Sequence, residues 1–248
     1  MMLGVLGVGH LATAMLAGLV RAGVPPADVL LAPRGQAATL SARHGFAVAV
    51  DNDDLVRRAD VVLLAVRPAA VAGAIAGLPW RADQIVISAC AGVPLAAVTV
   101  APAQAMRIMP MTAAEIGASP TICFPDLPQV RSLLTALGPL IPLRNEAEFE
   151  VATVSAAAYG WAQELIRRTA DWSVAQGLAP DTARQLVSGT FVAAGALMAA
   201  KPEPMDQLLQ ELVTPGGITE RGLQVLEDHG MGAGWEAACA AVLHKLTH

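Results

Sequence analysis

Three small residues near the start of the chain have the spacing of a phosphate-binding turn. Residues 4–12 are GVLGVGHLA, in which Gly7, Gly9 and Ala12 form a GxGxxA pattern before a helix-forming stretch. In such a turn the first glycine permits the sharp bend, the second lets the backbone approach a pyrophosphate, and the third small residue allows close helix packing. The N-terminus of the helix then faces the phosphates. The pattern favours a dinucleotide site, and the alternative is an ordinary tight turn of an α/β protein.

The end of the predicted second strand indicates which dinucleotide binds. An acidic residue at this position commonly bonds the ribose 2′-OH of NAD, whereas an arginine accommodates the 2′-phosphate of NADP. The strand ends in Ala32-Pro33-Arg34-Gly35 and carries no carboxylate. Arg34 therefore favours NADP(H) over NAD(H), and the alternative is a solvated surface arginine.

Composition and charge exclude several other classes of protein. The 248 residues are 54% hydrophobic and have a net charge of −5, with no long run of either sign, so we expect no nucleic-acid partner. Residues 4–23 are apolar, but no basic residue precedes them and Gly7, Gly9 and His10 interrupt them, which argues against an export signal or a membrane span. The three cysteines form no CxxC pair and no histidine has ligand spacing, so we expect no metal site, no disulfide framework and a cytoplasmic location.

The elements that must position these residues alternate between strand and helix over the first part of the chain. The predicted helices include one from about Leu11 to Arg21 and one from Gln36 to His44. Short apolar runs predict strands at Met2–Leu6, Val29–Ala32, Phe46–Val50, Asp60–Val66, Gln84–Ser88, Ala105–Met109 and Thr121–Phe124. This alternation predicts an α/β fold: a Rossmann-type, doubly wound, mostly parallel sheet.

The pattern changes to helix alone after residue 145. Helical stretches are predicted at Glu146–Gln176, Pro180–Ala200, Pro204–Leu212, Thr219–His229 and Gly234–Leu246, separated by proline- and glycine-containing breaks. We therefore predict an NADP(H)-binding domain at residues 1–145 and a second, all-helical domain at residues 146–248.

Six separated stretches, in order, resemble the pyrroline-5-carboxylate reductase family, whose members reduce a cyclic imine to proline with NAD(P)H. The resemblance extends over essentially the whole chain. Its motifs are the opening glycine turn and helix, Arg34 with Asp51-Asn52, the turn Leu64-Ala65-Val66-Arg67-Pro68, the strand end Ile87-Ser88-Ala89-Cys90-Ala91-Gly92-Val93, Met106-Arg107-Ile108-Met109-Pro110, and Pro215-Gly216-Gly217-Ile218-Thr219 with Gly222-Leu223.

The resemblance implies a set of residues around the cofactor. His10 and Leu11 stand where the family usually has Asn and Met, and His10 can donate a hydrogen bond to a pyrophosphate. The LAVKP-like turn and the Ala91-Gly92 segment are expected to line the nicotinamide. The implied cofactor residues are Gly7, Gly9, His10, Leu11, Arg34, Asn52, Ala65, Val66, Arg67, Pro68, Ala91 and Gly92.

The resemblance also implies a substrate site. The segment from Thr214 to Thr219 is expected to receive a substrate carboxylate, since Gly216 and Gly217 expose backbone N–H groups at the start of a helix. Thr219 matches a threonine that can hydrogen-bond the imine nitrogen, and the alternative is an ordinary helix start. The implied substrate-binding residues are Met111, Ser155, Thr214, Gly216, Gly217 and Thr219.

Two segments depart from the family pattern. The MPNTP segment is Met109-Pro110-Met111-Thr112-Ala113 here, which replaces an amide beside the expected nicotinamide with the thioether of Met111. The SGSGPAY loop is Ser155-Ala156-Ala157-Ala158-Tyr159-Gly160-Trp161, and its three consecutive alanines favour helix. Tyr159, the single tyrosine, is a candidate proton donor to the substrate, or alternatively packs between helices.

These features lead to one principal functional hypothesis and two alternatives. The principal hypothesis is NADPH-dependent hydride transfer to the C=N bond of a small carboxylated imine, with Thr219 and Tyr159 as the candidate catalytic residues. The first alternative is a diverged imine or carbonyl reductase with a different substrate, and the second is an inert NADP(H)-binding sensor or scaffold. The resemblance further implies a homo-oligomer, at least a dimer, formed through the C-terminal helices.

Overall fold

The first part of the chain forms a single eight-stranded sheet. The computed structural model describes residues 1–248. The strands are β1 (Leu3–Leu6), β2 (Val29–Leu31), β3 (Ala47–Val48), β4 (Val61–Leu64), β5 (Ile85–Ser88), β6 (Gln104–Met109), β7 (Thr121–Phe124) and β8 (Leu140–Pro142). Their order is β3-β2-β1-β4-β5-β6-β7-β8, and every pair is parallel except β6 with β7.

The strand order reverses between β1 and β4. After β1 the chain adds β2 and β3 on one side and then returns to place β4 on the other side of β1. Such a reversal leaves a crevice at the carboxyl ends of the two strands, which is where open α/β sheets bind ligands. The glycine turn follows β1 directly and therefore lies at this crevice.

Helices cover both faces of the sheet. Those that accompany the strands are α1 (His10–Arg21), α2 (Ala37–His44), α3 (Asn52–Arg58), α4 (Val71–Ile75) and α5 (Arg131–Thr135). All four residues of β4 are buried, with Val61 and Leu63 in one core cluster and Val62 and Leu64 in another. Successive side chains of a strand point to opposite faces. Both faces of β4 are therefore packed, as its continuous apolar sequence predicts.

The predicted fold class is confirmed, with differences at the edges of the sheet. The edge strand predicted at Phe46–Val50 is confined to Ala47–Val48, whose side chains are exposed. The other edge strand, β8, was not predicted from the sequence. It is three residues long, ends in Pro142 and is mostly exposed, so neither alternation nor a long apolar run distinguishes it from a loop.

The rest of the chain is helical, as predicted. These helices are α6 (Glu146–Ala175), α7 (Pro180–Ala200), α8 (Met205–Leu212), α9 (Ile218–Asp228) and α10 (Met231–Thr247). Contacts divide the chain into one unit of residues 1–156 and 243–248 and a second unit of residues 157–242. The first turns of α6 thus belong to the unit that contains the sheet. None of the helices combines the length and apolar character that crossing a membrane requires.

Gly18 in α1 provides a test of the packing that positions the glycine turn. A Cβ atom at Gly18 would lie 2.0 Å from the Ala114 carbonyl oxygen. Although alanine favours helix over glycine, this contact with backbone cannot be relieved by rotating a side chain. We therefore expect Gly18→Ala to lower the free energy of unfolding by about 1–3 kcal/mol in urea titrations.

Gly73→Ala in α4 is the matched control for that substitution. A Cβ atom at Gly73 meets no atom within 4 Å, so only helix propensity changes there. We expect it to be neutral or stabilising by up to about 1 kcal/mol. Equal effects of the two substitutions would contradict the packing argument.

Candidate functional site

The turn between β1 and α1 has the geometry of a phosphate-binding turn. Gly7 has a φ of +97°, and a Cβ atom there would lie 2.6 Å from the carbonyl group of Ala65. A Cβ atom at Gly9 would instead meet no atom within 4 Å. Ala12 is fully buried beneath the turn. Gly7 therefore allows close contact between two backbone segments, whereas Gly9 faces open space where a ligand can approach the helix N-terminus.

A cavity of about 630 Å³ lies in front of this turn. Its volume is within the range of small-molecule and cofactor sites. Much of the predicted cofactor set lines it, namely Gly7, Gly9, Arg34, Asn52, Ala65, Val66 and Arg67. These residues come from the ends of β1, β2 and β4 and from the start of α3. The sheet thus assembles residues that are up to 60 positions apart in the chain.

The charges around this cavity suit an anion. Arg34 and Arg67 contribute two cationic side chains to its lining, and none of the lining residues is acidic. The nearby Asp51 is the N-cap of α3 and accepts a hydrogen bond from the Asp54 amide at 2.8 Å. The only carboxylate in the adjoining Asp51-Asn52 pair is therefore used to cap a helix, and the neutral Asn52 faces the cavity.

Gly35 fixes the position of Arg34 beside the glycine turn. It has a φ of +73°, and a Cβ atom there would lie 2.4 Å from the Val8 carbonyl oxygen. The same oxygen accepts a hydrogen bond from the Gln36 amide at 2.9 Å. Sequence reasoning did not select Gly35 as a site residue, although a glycine directly after Arg34 was a usable signal.

Cys90 links the end of β5 to the turn after β4. Its Sγ lies 3.4 Å from the Leu64 carbonyl oxygen and 3.3 Å from that of Val66, at hydrogen-bond distance for a thiol donor. Burial raises the pKa of this thiol, so it stays protonated and can donate. Burial likewise raises the pKa of the Cys123 thiol, to about 11. All three cysteines are free.

Several predicted cofactor residues do not line the main cavity. These are His10, Leu11, Pro68, Ala91 and Gly92. His10 is the first residue of α1 and lines a separate cavity of about 130 Å³ that also contacts Arg43 and His44. Conversely, the lining includes Val8, Ala69, Ala70 and Gly73, which sequence reasoning missed because small apolar residues carry no chemical signal.

The predicted carboxylate-binding segment precedes α9 in the second unit. Gly217 is the N-cap of α9, and Thr219 is the second residue of the helix. The Gly216 amide, expected to bind a substrate, donates a hydrogen bond to Glu220 Oε2 at 2.7 Å. Thr214 accepts a bond from the Gly217 amide at 2.8 Å and closes the turn. A carboxylate of the chain itself therefore occupies one amide of the predicted anion site.

The altered SAAAYGW segment is part of α6, which confirms its predicted helical conformation. Tyr159 is partly buried in the second unit. Trp161 packs edge-on against Trp235 of α10, with ring centroids 5.3 Å apart. Trp161 therefore contributes to packing between helices within this unit.

The remaining two predicted substrate residues lie in the first unit. Ser155 is exposed, and its hydroxyl donates to the Ala152 carbonyl oxygen at 2.7 Å. Met111 is buried, and its amide donates to Ser119 Oγ at 2.8 Å. The structure describes no group of three or more His, Cys, Asp or Glu side chains able to hold a metal ion.

The Rossmann-type sheet and the anion-suited cavity at its strand reversal define a pyridine-nucleotide oxidoreductase fold. Two family models match the chain. Residues 2–92 match the model described as NADP oxidoreductase, coenzyme F420-dependent, and residues 146–248 match the model for pyrroline-5-carboxylate reductase dimerisation. The second match supports homo-oligomerisation of the chain.

Whole-chain comparisons agree with these matches. A pyrroline-5-carboxylate reductase of Synechocystis is 30% identical over 241 residues, which cover 92% of this chain and 90% of the relative. That of Pseudomonas aeruginosa is 26% identical and covers 97% and 93% of the two chains. The crystal structure of Plasmodium falciparum pyrroline carboxylate reductase with NADP bound superposes with a TM-score of 0.88 at 22% identity, over 99% and 97% of the two chains. The chain belongs to the pyrroline-5-carboxylate reductase family.

The contact between Gly35 and Val8 predicts a specific effect on nucleotide binding. We expect Gly35→Ala to weaken NADPH binding at least about tenfold, because the added methyl group must separate Arg34 from the glycine turn. Gly23→Ala is the control: Gly23 also has a positive φ, of +91°, but a Cβ atom there meets nothing within 4 Å. Titration by fluorescence measures both affinities, and equal losses in the two variants would show that backbone strain alone is responsible.

Proposed function

We propose that the protein is an NADPH-dependent reductase of the C=N bond of a small carboxylated imine, with 1-pyrroline-5-carboxylate as the principal candidate substrate. The observation that carries the proposal is the cavity at the β1–β4 reversal, with Gly9 open to a ligand and Arg34 and Arg67 in its lining. Family membership adds support, because the relatives named above are pyrroline-5-carboxylate reductases.

The residues of the cavity fit a phosphorylated dinucleotide. The N-terminus of α1 and the amides of the glycine turn suit a pyrophosphate, and Arg34 at the end of β2 suits a ribose 2′-phosphate. None of the lining residues is acidic, so the cavity lacks the carboxylate that usually hydrogen-bonds the free ribose 2′-OH of NAD. These features support NADP(H) as the preferred cofactor.

The chain's own residues would orient the substrate and complete the proton balance. NADPH held by the glycine turn and Arg34 would supply a hydride to the imine carbon. A protonated imine is already electrophilic, so the protein mainly has to orient it. In the proposal the Thr219 hydroxyl hydrogen-bonds the nitrogen, and Tyr159 or water supplies a proton where the imine arrives neutral. Amides at the start of α9 bind the carboxylate.

Two features favour a second candidate function, the reduction of a different imine or carbonyl substrate. The segment from Ser155 to Trp161 is continuous helix with two large aromatic side chains, where the family pattern has a glycine-rich loop. In addition, a substrate carboxylate must displace Glu220 from the Gly216 amide. Both features alter residues expected at the substrate while leaving the nucleotide cavity intact.

We infer that helices of the second unit pair with the same helices of a second copy, because residues 146–248 match a dimerisation model and Leu186, Val192 and Leu197 of α7 are exposed. Three free thiols suit a reducing compartment, and we propose the cytoplasm.

Replacing Arg34 tests the cofactor preference. We expect Arg34→Gln to raise the KM for NADPH about 10- to 100-fold, because that is the loss of affinity expected when a charge-assisted hydrogen bond to phosphate is removed. The KM for NADH should remain nearly unchanged. Arg43→Gln is the control, because it removes an equal charge from the neighbouring small cavity. A parallel loss of both cofactors in Arg34→Gln would show that Arg34 does not contact a 2′-phosphate.

A substrate panel tests the reaction itself. Purified protein is incubated with NADPH and 1-pyrroline-5-carboxylate, other cyclic and acyclic imines, or 2-oxo acids, and loss of reduced nicotinamide absorbance is followed. We expect turnover of an imine and a fall in kcat/KM of about 10- to 100-fold in Thr219→Ala, with recovery in Thr219→Ser, which keeps the hydroxyl.

The outcomes of this panel separate the candidate functions. Turnover of another substrate alone would support the second candidate, and in that case Glu220→Ala, which frees the Gly216 amide, tests whether Glu220 has closed the α9 start to carboxylates. NADPH binding without turnover of any compound would indicate an inert binding protein. Tyr159→Phe distinguishes a proton donor, whose loss lowers kcat about 100-fold or more, from a packing residue, whose loss mainly changes stability.

A further inference from the structure

Arg107 is the largest fully buried side chain in the protein. It lies on β6, where its neighbours Met106 and Ile108 pack into the apolar core on the opposite face of the sheet. Its Nη1 donates to Glu146 Oε1 at 2.7 Å and to Glu150 Oε1 at 2.5 Å. Its guanidinium carbon also lies 4.3 Å from the centre of the Phe149 ring. The guanidinium is thus held against the first turns of α6.

The ion pairs of Arg107 are poorly suited to stabilising the fold alone. Arg107 Nε and Nη2 and Glu150 Oε2 are buried without a hydrogen-bond partner in the chain. Desolvating charged groups can cost more than their mutual attraction returns, and apolar residues often replace such groups without loss of stability. A buried ion pair with these groups unpaired in the chain is therefore weak evidence for a role in stability alone.

Glu146 connects this ion pair to the backbone of the loop after β5. The Oε1 atom that accepts from Arg107 also accepts from the Leu95 amide at 2.6 Å. Leu95 closes the segment that contains Ala91 and Gly92. At the other end of the segment, Cys90 lies at thiol hydrogen-bond distance from the Val66 carbonyl oxygen, and Val66 lines the nucleotide cavity. The Cys90–Leu95 segment is therefore anchored at both ends.

The backbone of the Cys90–Leu95 segment makes few hydrogen bonds of its own. Gly92 has a φ of +68°. Between Cys90 and Leu95 there is one hydrogen bond that joins two backbone groups of the segment, from the Val93 amide to the Cys90 carbonyl oxygen, and at 3.4 Å it is long. Side-chain anchors therefore add to the packing of Ala91 against the Phe149 cluster and of Gly92 near Leu246 in determining where the segment lies. Groups that contact a reacting ligand must be held to within about 0.5 Å of the productive geometry.

We propose that Arg107 and Glu146 are positioning residues for the cofactor: the guanidinium orients the Glu146 carboxylate, which holds the Leu95 amide and so places the Cys90–Leu95 segment against the nicotinamide end of NADP(H). The inference rests on the proposed function, since it requires that NADP(H) bind with its nicotinamide beside Ala91 and Gly92. Glu150 contacts the same guanidinium nitrogen but has no bond to the loop.

The difference between the two glutamates provides a matched test. Glu146→Ala and Glu150→Ala each remove one carboxylate partner of Arg107, and both side chains are partly accessible, at 33% and 15%. Hydrogen exchange of the Leu95 amide, the NADPH dissociation constant and the melting temperature are measured for both variants and the unaltered protein. Arg107→Lys, which keeps the charge but not the planar donor group, is a third variant.

Of the two glutamate variants, we expect only Glu146→Ala to release the loop. Its Leu95 amide should exchange at least about tenfold faster in the absence of nucleotide, and NADPH should bind about 3- to 10-fold more weakly. Glu150→Ala should lower the melting temperature while leaving both local readouts within about twofold of the unaltered protein.

Equal exchange rates and NADPH affinities in the two glutamate variants would overturn the inference and leave Arg107 with a purely structural role. Failure of the unaltered protein to bind NADPH would instead overturn the proposed function. The two failures are therefore distinguished by the unaltered protein alone.

Discussion

Close approach of three backbone segments at the end of β1 is the constraint on which the proposed nucleotide cavity depends. Gly7 touches the Ala65 backbone and Gly35 touches that of Val8, each at a distance that a side chain would prevent. These contacts bring the ends of β1, β2 and β4 together and leave Gly9 open to the cavity. Since the contacts involve backbone atoms, neighbouring side chains cannot compensate for their loss.

The same arrangement of strand ends brings two arginines together and leaves the nearby carboxylates outside the cavity. Arg34 and Arg67 lie on separate strand ends and line one cavity because the strand order reverses between β1 and β4. Acidic residues are nearby in sequence, but Asp51 caps α3 and Asp53 and Asp54 pair with Arg57 and Arg58 on the same helix. Local pairing therefore keeps carboxylates away from the place where phosphates would bind.

The residues expected at the substrate contrast with this cavity, whose lining includes Gly7, Gly9 and Arg34 as the sequence predicts. Where the resemblance predicts a glycine-rich loop, the chain has alanines and aromatic residues within α6, and Trp161 packs on Trp235. The start of α9 keeps its two glycines, yet Glu220 bonds the Gly216 amide. Family membership is thus clear from the whole chain, while the identity of the substrate depends on a few altered positions.

Much of the fold was predictable because its signals are local. The GxGxxA turn, the apolar runs of β1, β4 and β5, and the long helices after residue 145 each have a period or a spacing that a short window reveals. The edge strand β8 was missed because it is short, partly exposed and ends in proline. Val8 and Gly73 were missed in the cavity because nothing in their chemistry marks them as lining residues, whereas Gly35 was missed although it directly follows Arg34.

The sequence by itself determined the fold class, the family and the candidate residues of the glycine turn, because each of these is recognised from residue types at fixed spacings. Only the tertiary structure decided which of those residues share a cavity and which hydrogen-bond groups are already used within the chain. Glu220 on the Gly216 amide and Glu146 between Arg107 and the Leu95 amide are of this second kind. Arg107 and Glu146 are 39 positions apart, and such a bond depends on how the strands and helices pack, which no local pattern records.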